Sequence, residues 1–424
     1  MAKINPFSPS SPFPPGIFVG RMEEINRIET CLVQTKAGSP SHFMITGERG
    51  IGKTSLLNYI KYVAEGSIEL DGETLKFLVI DVDIDKNTTE LGLVKKIQMS
   101  AESVLRGNEQ IKAKLKEIWE FISRIEAAGV KINNRNKQEC DELITEEFSY
   151  HLKELFDKLC VVKPGNSLHK TIYDGILIII DEADNASPEL HLGSFFKLIT
   201  ERLYRRGVTK LMFGIAGLAE LKKVLSISHQ SSLRIFEEIV IDRLSNDEVG
   251  SVIDICINRA NKENKQITVI DKDARDLLIN LSEGYPHFIQ QYGYSAFYVD
   301  KDHNIEKSDV IQGAFGNHGA LELIGARYYR DNYYNKIQKD NYRQVLRIMA
   351  DKMNDWVTKE EIRSKYSGSS KTLDNAIKAL RDRGIILSKE GERGVYRLQH
   401  KGFAWWIKMY TSSPEEIIKG KKTE

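Results

Sequence analysis

Short apolar segments alternate with amphipathic stretches between Ile17 and Leu244. Alternation of this kind is typical of a parallel sheet whose strands are joined and covered by helices. All but the last of these segments are dense in Ile, Val, Leu, Met or Phe, as strands buried on both faces must be. We therefore predict an α/β fold with strands at His42–Thr46, Phe77–Asp83, Ile176–Asp181, Lys210–Ala216 and Glu238–Ile241.

The stretches around these strands complete the predicted core domain, residues 17–244. The start of the chain, residues 1–16, is rich in proline and serine and is expected to be a disordered arm. Between the second and third strands, residues 84–174 are rich in Lys and Glu and carry apolar residues at helical spacing. A structureless loop of that length is implausible, so we predict inserted helices, with a short hairpin near Val130–Ile132.

From Ser245 onward the pattern is helical, and Ser245-Asn-Asp-Glu248 indicates a capping box at the start of a helix. We predict a helical lid over residues 245–338. The segment from Asn341 then indicates three helices followed by a hairpin, the order of a winged helix-turn-helix domain over residues 341–410, with a tail at 411–424. The predicted elements are Tyr342–Ala350, Thr358–Tyr366, Lys371–Arg383, Ile385–Leu387 and Val395–Leu398.

Composition excludes several classes of protein. Of the 424 residues, 41% are hydrophobic, and 61 Lys and Arg residues almost balance 60 Asp and Glu residues, so net charge does not indicate a nucleic-acid partner. The charge is nevertheless segregated, because 18 basic residues face 11 acidic ones from Asn341 to the end. Four scattered cysteines favour neither a zinc site nor disulfides, and no apolar run is long enough to span a membrane. We expect a cytoplasmic protein without a membrane partner.

A phosphate-binding loop follows the first strand. Residues 47–54 fit the pattern G-x-x-x-x-G-K-[ST] without a mismatch, between a predicted strand and a predicted helix. Glycines let backbone N–H groups wrap phosphates, Lys53 reaches the β- and γ-phosphates, and Thr54 offers its hydroxyl to Mg²⁺. The alternative is a chance glycine loop before a helix. The predicted ligands of ATP are Gly47, Glu48, Arg49, Gly50, Ile51, Gly52, Lys53, Thr54 and Ser55.

Acidic residues follow the third strand. The apolar run Ile176–Ile180 leads into Asp181-Glu182-Ala183-Asp184, at the carboxyl end of a buried strand, where ligands of open α/β sheets bind. We predict that Asp181 holds the Mg²⁺ and that Glu182 is the base that orients the attacking water. Alone, such a run could be a strand entering a solvated turn. Residues 181–184 also match the tetrad of a helicase family. That family has a different phosphate loop and a second motor domain, and we find neither in this sequence.

Over residues 18–406 the chain resembles the AAA+ and STAND group of P-loop ATPases, including origin-initiator and transposition-regulator ATPases. Phe18-Val19-Gly20-Arg21-Met22-Glu23-Glu24 resembles the box that packs near the adenine, which implies that Val19 and Arg21 contact the nucleotide. Gly214-Ile215-Ala216-Gly217 resembles the strand of the first sensor, but Gly217 stands where Asn or Thr is common. Gly284-Tyr285-Pro286-His287 resembles the second sensor, with His287 in place of arginine.

The resemblance also implies an arginine supplied to a neighbouring subunit. Ser231–Phe236 is similar to the segment that delivers it, so Arg234 is the candidate, and Arg243 is held in reserve. Arg234 could instead form an ordinary surface ion pair. At the second sensor, Pro286 and His287 are expected to contact the nucleotide weakly, or His287 could cap a helix. Because both sensor positions depart from the pattern of fast enzymes, we expect slow hydrolysis.

The third predicted helix of the C-terminal segment carries the candidate nucleic-acid contacts. Lys371, Asn375 and Lys378 recur at i, i+4 and i+7, away from the apolar stripe, and Arg393 lies in the predicted wing. Asp374 and Asp382 flank this face and would repel phosphate. The same domain could serve in docking to a protein instead.

Two functions remain open from the sequence. The first is an ATP- and Mg²⁺-dependent switch that forms a homo-oligomer and engages double-stranded DNA, together with a transposition or replication protein. The second is an ATPase scaffold of a signalling or defence system, which activates a separate effector protein through its C-terminal domain.

Overall fold

The computed structural model describes residues 3–11, 19–70, 72–105, 137–161, 171–337, 339–353 and 355–411, without the side chains of residues 137–141. The chain divides into two compact units, which we describe separately. The core unit is Pro12–Asp242, and the C-terminal unit combines Met1–Ser11 with Arg243–Glu424.

A five-stranded parallel sheet forms the centre of the core unit, so the predicted α/β fold is confirmed. The order of the strands is β2-β3-β4-β1-β5. Each predicted strand is present: β1 and β2 have the predicted bounds, and the ends of the other three differ by at most two residues. The strands are β1 (His42–Thr46), β2 (Phe77–Asp83), β3 (Gly175–Asp181), β4 (Leu211–Gly217) and β5 (Phe236–Val240).

Helices cover this sheet and bury its three central strands, β3, β4 and β1. Every residue of β4 is buried, as are all residues of β3 except its last, Asp181. Aromatic rings from the covering helices, such as Phe148, Phe195 and Phe196, pack into the same apolar cluster as the strand residues. The helices are α1 (Met22–Lys36), α2 (Lys53–Ala64), α3 (Glu90–Val104), α4 (Lys137–Leu159), α5 (Leu192–Arg205) and α6 (Leu221–Ser228).

The described part of the region between β2 and β3 contains the helices α3 and α4. Helix α3 begins at the cap Thr89, whose side chain accepts a hydrogen bond from the Gly92 N–H. It buries Leu93, Val94 and Ile97 in the core. The hairpin predicted near Val130–Ile132 lies outside the described residues.

Helices also dominate the first part of the C-terminal unit. The predicted capping box is present: the Glu248 N–H donates to Ser245 Oγ, and the Ser245 N–H donates to Glu248 Oε2. Two π-helical turns, Gly325–Tyr329 and Asp331–Asn335, end this part. The elements are α7 (Asn246–Glu263), β6 (Val269–Ile270), α8 (Lys272–Ser282), α9 (Pro286–Val299), β7 (Asn304–Ile305), α10 (Lys307–Phe315) and α11 (Ala320–Ile324).

The expectation of a disordered arm is wrong for residues 3–11, which pack within the C-terminal unit. Phe7 is only 2% exposed, and a Cβ at Gly293 in α9 would lie 2.4 Å from its ring. The Ser8 N–H donates to Gln290 Oε1 at 2.7 Å. Lys3 forms an ion pair with the buried carboxylate of Asp300. Burial of the Phe7 ring contributes a favourable free energy, which offsets the conformational entropy that these residues lose when they become ordered. The composition of the segment does not reveal this contribution.

The rest of the C-terminal unit is a smaller group of elements, which we call the C-terminal module (residues 340–411). Three short strands pair antiparallel in the order β8-β10-β9. The predicted helices and hairpin are present, while the two-residue strand β8 was not predicted. The elements are α12 (Asp340–Ala350), β8 (Val357–Thr358), α13 (Lys359–Lys365), α14 (Ser370–Asp382), β9 (Ile386–Ser388), β10 (Val395–Leu398) and α15 (Lys401–Tyr410).

The aromatic segment at the end of the module packs against its own unit. Trp406 of α15 is 5% exposed and contacts the rings of Tyr333 and Phe403. Within the described residues, no helix is both long and apolar enough to cross a membrane.

Replacing Phe7→Ala tests the packing of the N-terminal residues. We expect the free energy of unfolding of the C-terminal unit to fall by about 3 kcal/mol, because the change leaves a cavity against α9. Three of the four tryptophans, Trp356, Trp405 and Trp406, belong to this unit, so tryptophan fluorescence in urea reports on it. Ile4→Ala is the matched control, since Ile4 is 49% exposed. Equal urea midpoints for the two variants would contradict the described packing.

Candidate nucleotide site

The loop between β1 and α2 adopts a backbone that its glycines make accessible. Gly50 and Gly52 have φ angles of 77° and 104°, in the left-handed region that side chains disfavour. Helix α2 therefore begins directly at Lys53, so its N-terminal N–H groups and the positive end of its dipole face the loop. A loop of this shape before a helix N-terminus is suited to bind phosphate.

The ammonium of Lys53 lies among acidic side chains. It donates to the carbonyl oxygens of Gly47 and Glu48, each at 2.9 Å. Burial lowers the pKa of Lys53, and Arg49 lowers it further. The carboxylates of Asp184, Asp181 and Glu182, in that order of strength, oppose this effect. Three acids at the end of β3 thus partly offset the effect of burial on the pKa of Lys53.

Thr54 and Asp181 meet across the ends of α2 and β3. The Thr54 hydroxyl donates to Asp181 Oδ2 at 2.8 Å, although 127 positions separate the residues in sequence. Oxygen donors of this kind suit Mg²⁺, which keeps several waters and takes one or two protein ligands beside phosphates. Among the described residues, no group of three or more His, Cys, Asp and Glu side chains could hold a metal by itself. The donor set therefore fits Mg²⁺ that is shared with a nucleotide.

Glu182 stands at the start of a tight turn. Its φ of 52° is left-handed, and its N–H donates to Asp181 Oδ1 at 2.8 Å. Its side chain is exposed, and Oε2 accepts a hydrogen bond from Asn185 Nδ2 at 3.1 Å. A non-glycine residue in this conformation is strained, and such strain clusters at functional sites. The position suits a general base with one fixed carboxylate oxygen.

Arg21 supports the loop from outside. Its side chain is 8% exposed, and its guanidinium lies 3.4 Å from the Ile51 carbonyl oxygen and 3.6 Å from Glu24 Oε1. Arg21 therefore contacts the phosphate-binding loop. Its contact with the nucleotide stays a prediction. Val19 lies in the described residues before α1, while Phe18 lies outside them.

The structure also explains the glycine at the first-sensor position. A Cβ at Gly217, the last residue of β4, would lie 2.6 Å from Asp184 Oδ1. The same Asp184 oxygen accepts a hydrogen bond from the Leu218 N–H at 3.0 Å. Sequence reasoning missed this contact and treated Asp184 only as part of a false match. The signal available was an acid three residues after Asp181, together with a glycine where a polar residue is common.

The predicted second sensor lies in the C-terminal unit, where Pro286 and His287 open α9. His287 Nε2 lies 2.9 Å from Arg327 Nη1, and because an arginine N–H can only donate, the histidine nitrogen accepts in this contact. Arg327, from the first π-helical turn, thus places a positive charge beside His287. The weak contact of Pro286 and His287 with the nucleotide stays a prediction.

The two candidate arginines lie in different surroundings. Arg234 is exposed in the core unit, in a 3₁₀ segment (Gln230–Ile235), and its guanidinium has no ion pair within the described part of the chain. Arg243 belongs to the C-terminal unit, where it lies 3.8 Å from Glu283 and 4.6 Å from the centre of the Tyr285 ring. It also donates to the Gln399 carbonyl oxygen. Arg243 is therefore engaged within its own unit, which favours Arg234 as the exposed candidate.

Part of the core unit matches a known protein family. Residues 17–204 match the model of the AAA ATPase domain family. The chain is 27% identical over 260 residues to an uncharacterized HTH-type transcriptional regulator of Methanocaldococcus jannaschii. That alignment covers 59% of this chain and 56% of the relative, so the chain matches only about half of the relative's length.

Two solved structures share the fold. The Walker-type ATPase of Pyrococcus abyssi has a TM-score of 0.57 at 16% identity, with 92% of this chain and 96% of that chain covered. The ORC2 protein of Aeropyrum pernix, in ADPNP and ADP complexes, has a TM-score of 0.59 at 13% identity, with 99% and 98% covered. At these identities the likeness concerns the fold alone.

Arg21→Ala tests whether the loop needs its outer support. Loss of one long hydrogen bond to the Ile51 carbonyl should cost about 1 kcal/mol, which weakens ATP binding about fivefold. The measurement is a titration with a fluorescent ATP analogue. Arg27→Ala is the control, because Arg27 pairs with Glu237 at the surface of the same unit. Equal affinities in parent and Arg21→Ala would remove Arg21 from the site.

Proposed function

We propose that this protein is an ATP-binding and slowly hydrolysing switch, which assembles into homo-oligomers and engages duplex DNA through its C-terminal module. The observation that carries the proposal is the convergence of Lys53, Thr54, Asp181 and Glu182 at one edge of the sheet. A phosphate-binding loop opposite two acids is the arrangement that P-loop enzymes use to cleave the terminal phosphate.

Each residue of the site has a separate task in this proposal. The N–H groups of residues 47–55 and the Lys53 ammonium bind the phosphates, and Thr54 with Asp181 holds Mg²⁺, which neutralises phosphate charge. Glu182 accepts a proton from, and orients, the attacking water. Arg234 is exposed and without an ion pair in the described structure, so it can reach the nucleotide of a neighbouring subunit. The glycine at position 217 and the histidine at position 287, where the resembling family has polar and arginine residues, favour slow turnover.

The C-terminal module supports the DNA part of the proposal. Its helices, hairpin and three-stranded sheet follow one another in the order of a winged helix-turn-helix, and α14 exposes Lys371, Asn375 and Lys378. Buried Leu373, Ile377 and Leu380 hold the opposite face of α14 in place. Exposed lysines on a helix of this kind suit phosphate contacts, and an exposed Asn suits the edge of an adenine.

One of the two acidic residues on this helix, Asp374, is less unfavourable than the sequence suggested. Asp374 forms an ion pair with Lys359 of α13, so part of its repulsion toward phosphate is neutralised. Arg393 is exposed in the turn between β9 and β10, where a wing would lie. The Methanocaldococcus relative is described as an HTH-type transcriptional regulator, which supports a DNA-binding role for the protein as a whole.

Glu182→Gln tests the proposed hydrolysis. The amide cannot accept the proton of water, so kcat should fall by about a hundredfold or more while ATP affinity changes little. Lys53→Ala should instead lose ATP binding. Phosphate release with ATP and Mg²⁺ measures the rates, and Glu220→Gln, an exposed acid of the same unit, is the control. Hydrolysis by Glu182→Gln at the parent rate would refute the assignment of the base.

Charge reversal on α14 tests DNA binding. Lys371→Glu together with Lys378→Glu should weaken duplex binding at least about tenfold and reduce the slope of log affinity against log salt by about two. The control is Lys272→Glu with Lys301→Glu, two exposed lysines of the same unit with the same change in charge. If the parent assembles with ATP but binds no duplex, the module docks to an effector protein instead.

A further inference from the structure

The end of strand β4 has no side chain, and the neighbouring turn fills the space. Besides its 2.6 Å approach to Asp184 Oδ1, a Cβ at Gly217 would lie 3.1 Å from Asp184 N and 3.2 Å from Asp184 Cβ. Heavy-atom contacts under 3.0 Å essentially do not occur for real Cβ atoms. Position 217 therefore accepts only glycine as long as Asp184 keeps its place.

Asp184 and Asn185 tie this turn to both neighbouring strands. Asp184 Oδ1 accepts the Leu218 N–H, just beyond the end of β4. Asn185 Nδ2 lies 3.4 Å from the carbonyl oxygen of Ile84, just beyond the end of β2. Because β3 lies between β2 and β4 in the sheet, the turn that follows β3 is held from both sides.

The residue held by this arrangement is Glu182. Its left-handed backbone is strained and persists only if the surrounding structure imposes it. Asn185 also holds the Glu182 carboxylate directly, at 3.1 Å. Backbone hydrogen bonds from the Ile84 N–H to the Asp181 carbonyl oxygen and from the Asn185 N–H to the Glu182 carbonyl oxygen also hold the turn. The bond from Leu218 to Asp184 ties it to the end of β4, and its loss gives Glu182 freedom to relax on that side.

We propose that Asp184 is a positioning residue for ATP hydrolysis, which fixes the turn that carries Glu182 by its hydrogen bond to Leu218 in the space left by Gly217. This inference rests on the proposed ATPase function. In this proposal, the carboxylate of Asp184 in the acidic turn supplies the polar group that Gly217 cannot supply at the end of β4. It also explains why the chain combines a glycine at position 217 with an acid at position 184.

The proposal separates a hydrogen-bonding role of Asp184 from a role of its charge. Asparagine has the same size and keeps an Oδ1 that accepts the Leu218 N–H, whereas alanine removes the acceptor. A group that orients the base affects the chemical step more than nucleotide affinity, since misplacement of about 1 Å can cost about a hundredfold in rate. A side chain that only stabilises the unit would alter the melting temperature without separating kcat from KM.

The test measures kcat, KM and ATP affinity for a set of variants of the full chain. Asp184→Ala should lower kcat by about tenfold to a hundredfold, with ATP affinity within about threefold of the parent. Asp184→Asn should stay within about threefold of the parent kcat. Gly217→Ala should lower kcat because its methyl group displaces Asp184. The control is Glu201→Ala, an exposed acid in the last turns of α5, which should behave like the parent.

The double variant Gly217→Ala with Asp184→Ala decides whether the two residues act through one contact. The proposal predicts a kcat no lower than that of Asp184→Ala alone, because the contact is already lost. Multiplied losses in the double variant, or an Asp184→Asn rate as low as that of Asp184→Ala, would overturn it. If the parent hydrolyses ATP and Glu182→Gln does not, an unchanged Asp184→Ala refutes this inference alone. A parent without ATPase activity refutes the proposed function itself.

Discussion

A positive charge at a partly desolvated position is the constraint on which the rest of the core depends. Burial of the Lys53 ammonium at the end of the phosphate loop lowers its pKa, and three carboxylates oppose this effect. Those carboxylates belong to the turn after β3, so the loop after β1 and the turn after β3 must lie at the same edge. The parallel sheet meets this requirement, because it brings the carboxyl ends of all its strands to one side.

The sheet order also determines which residues can support the site. Strand β4 lies between β1 and β3, so its last residue, Gly217, is next to the acidic turn. Strand β2 lies on the other side of β3 and contributes the Ile84 carbonyl beyond its end. The side chains of Asp184 and Asn185 thus hold the acidic turn to backbone groups beyond both neighbouring strands. These contacts let Glu182 keep a strained conformation.

Much of this architecture was predictable because its determinants are local. Strands buried on both faces appear as apolar runs, and the phosphate loop and the Ser245 capping box are patterns of neighbouring residues. The failures concern contacts between distant residues. Phe7 becomes ordered because Gly293 leaves room for its ring, and β8 exists because β10 pairs with it. The role proposed for Asp184 depends on its contact with the end of β4, which is distant in sequence and follows only from the fold. The roles of Arg234, His287 and the lysines of α14 remain predictions, because they depend on a nucleotide, a neighbouring subunit or DNA.

The most direct test of the central claim is calorimetric titration of ATP with Mg²⁺ and with EDTA, in the parent and in Asp181→Asn. If Lys53, Thr54 and Asp181 form one site for the nucleotide and its metal, the parent binds ATP more tightly with Mg²⁺. Asp181→Asn should lose that difference while it retains the affinity measured in EDTA. The same Mg²⁺ dependence in Asp181→Asn as in the parent, or no ATP binding by the parent, would contradict the account.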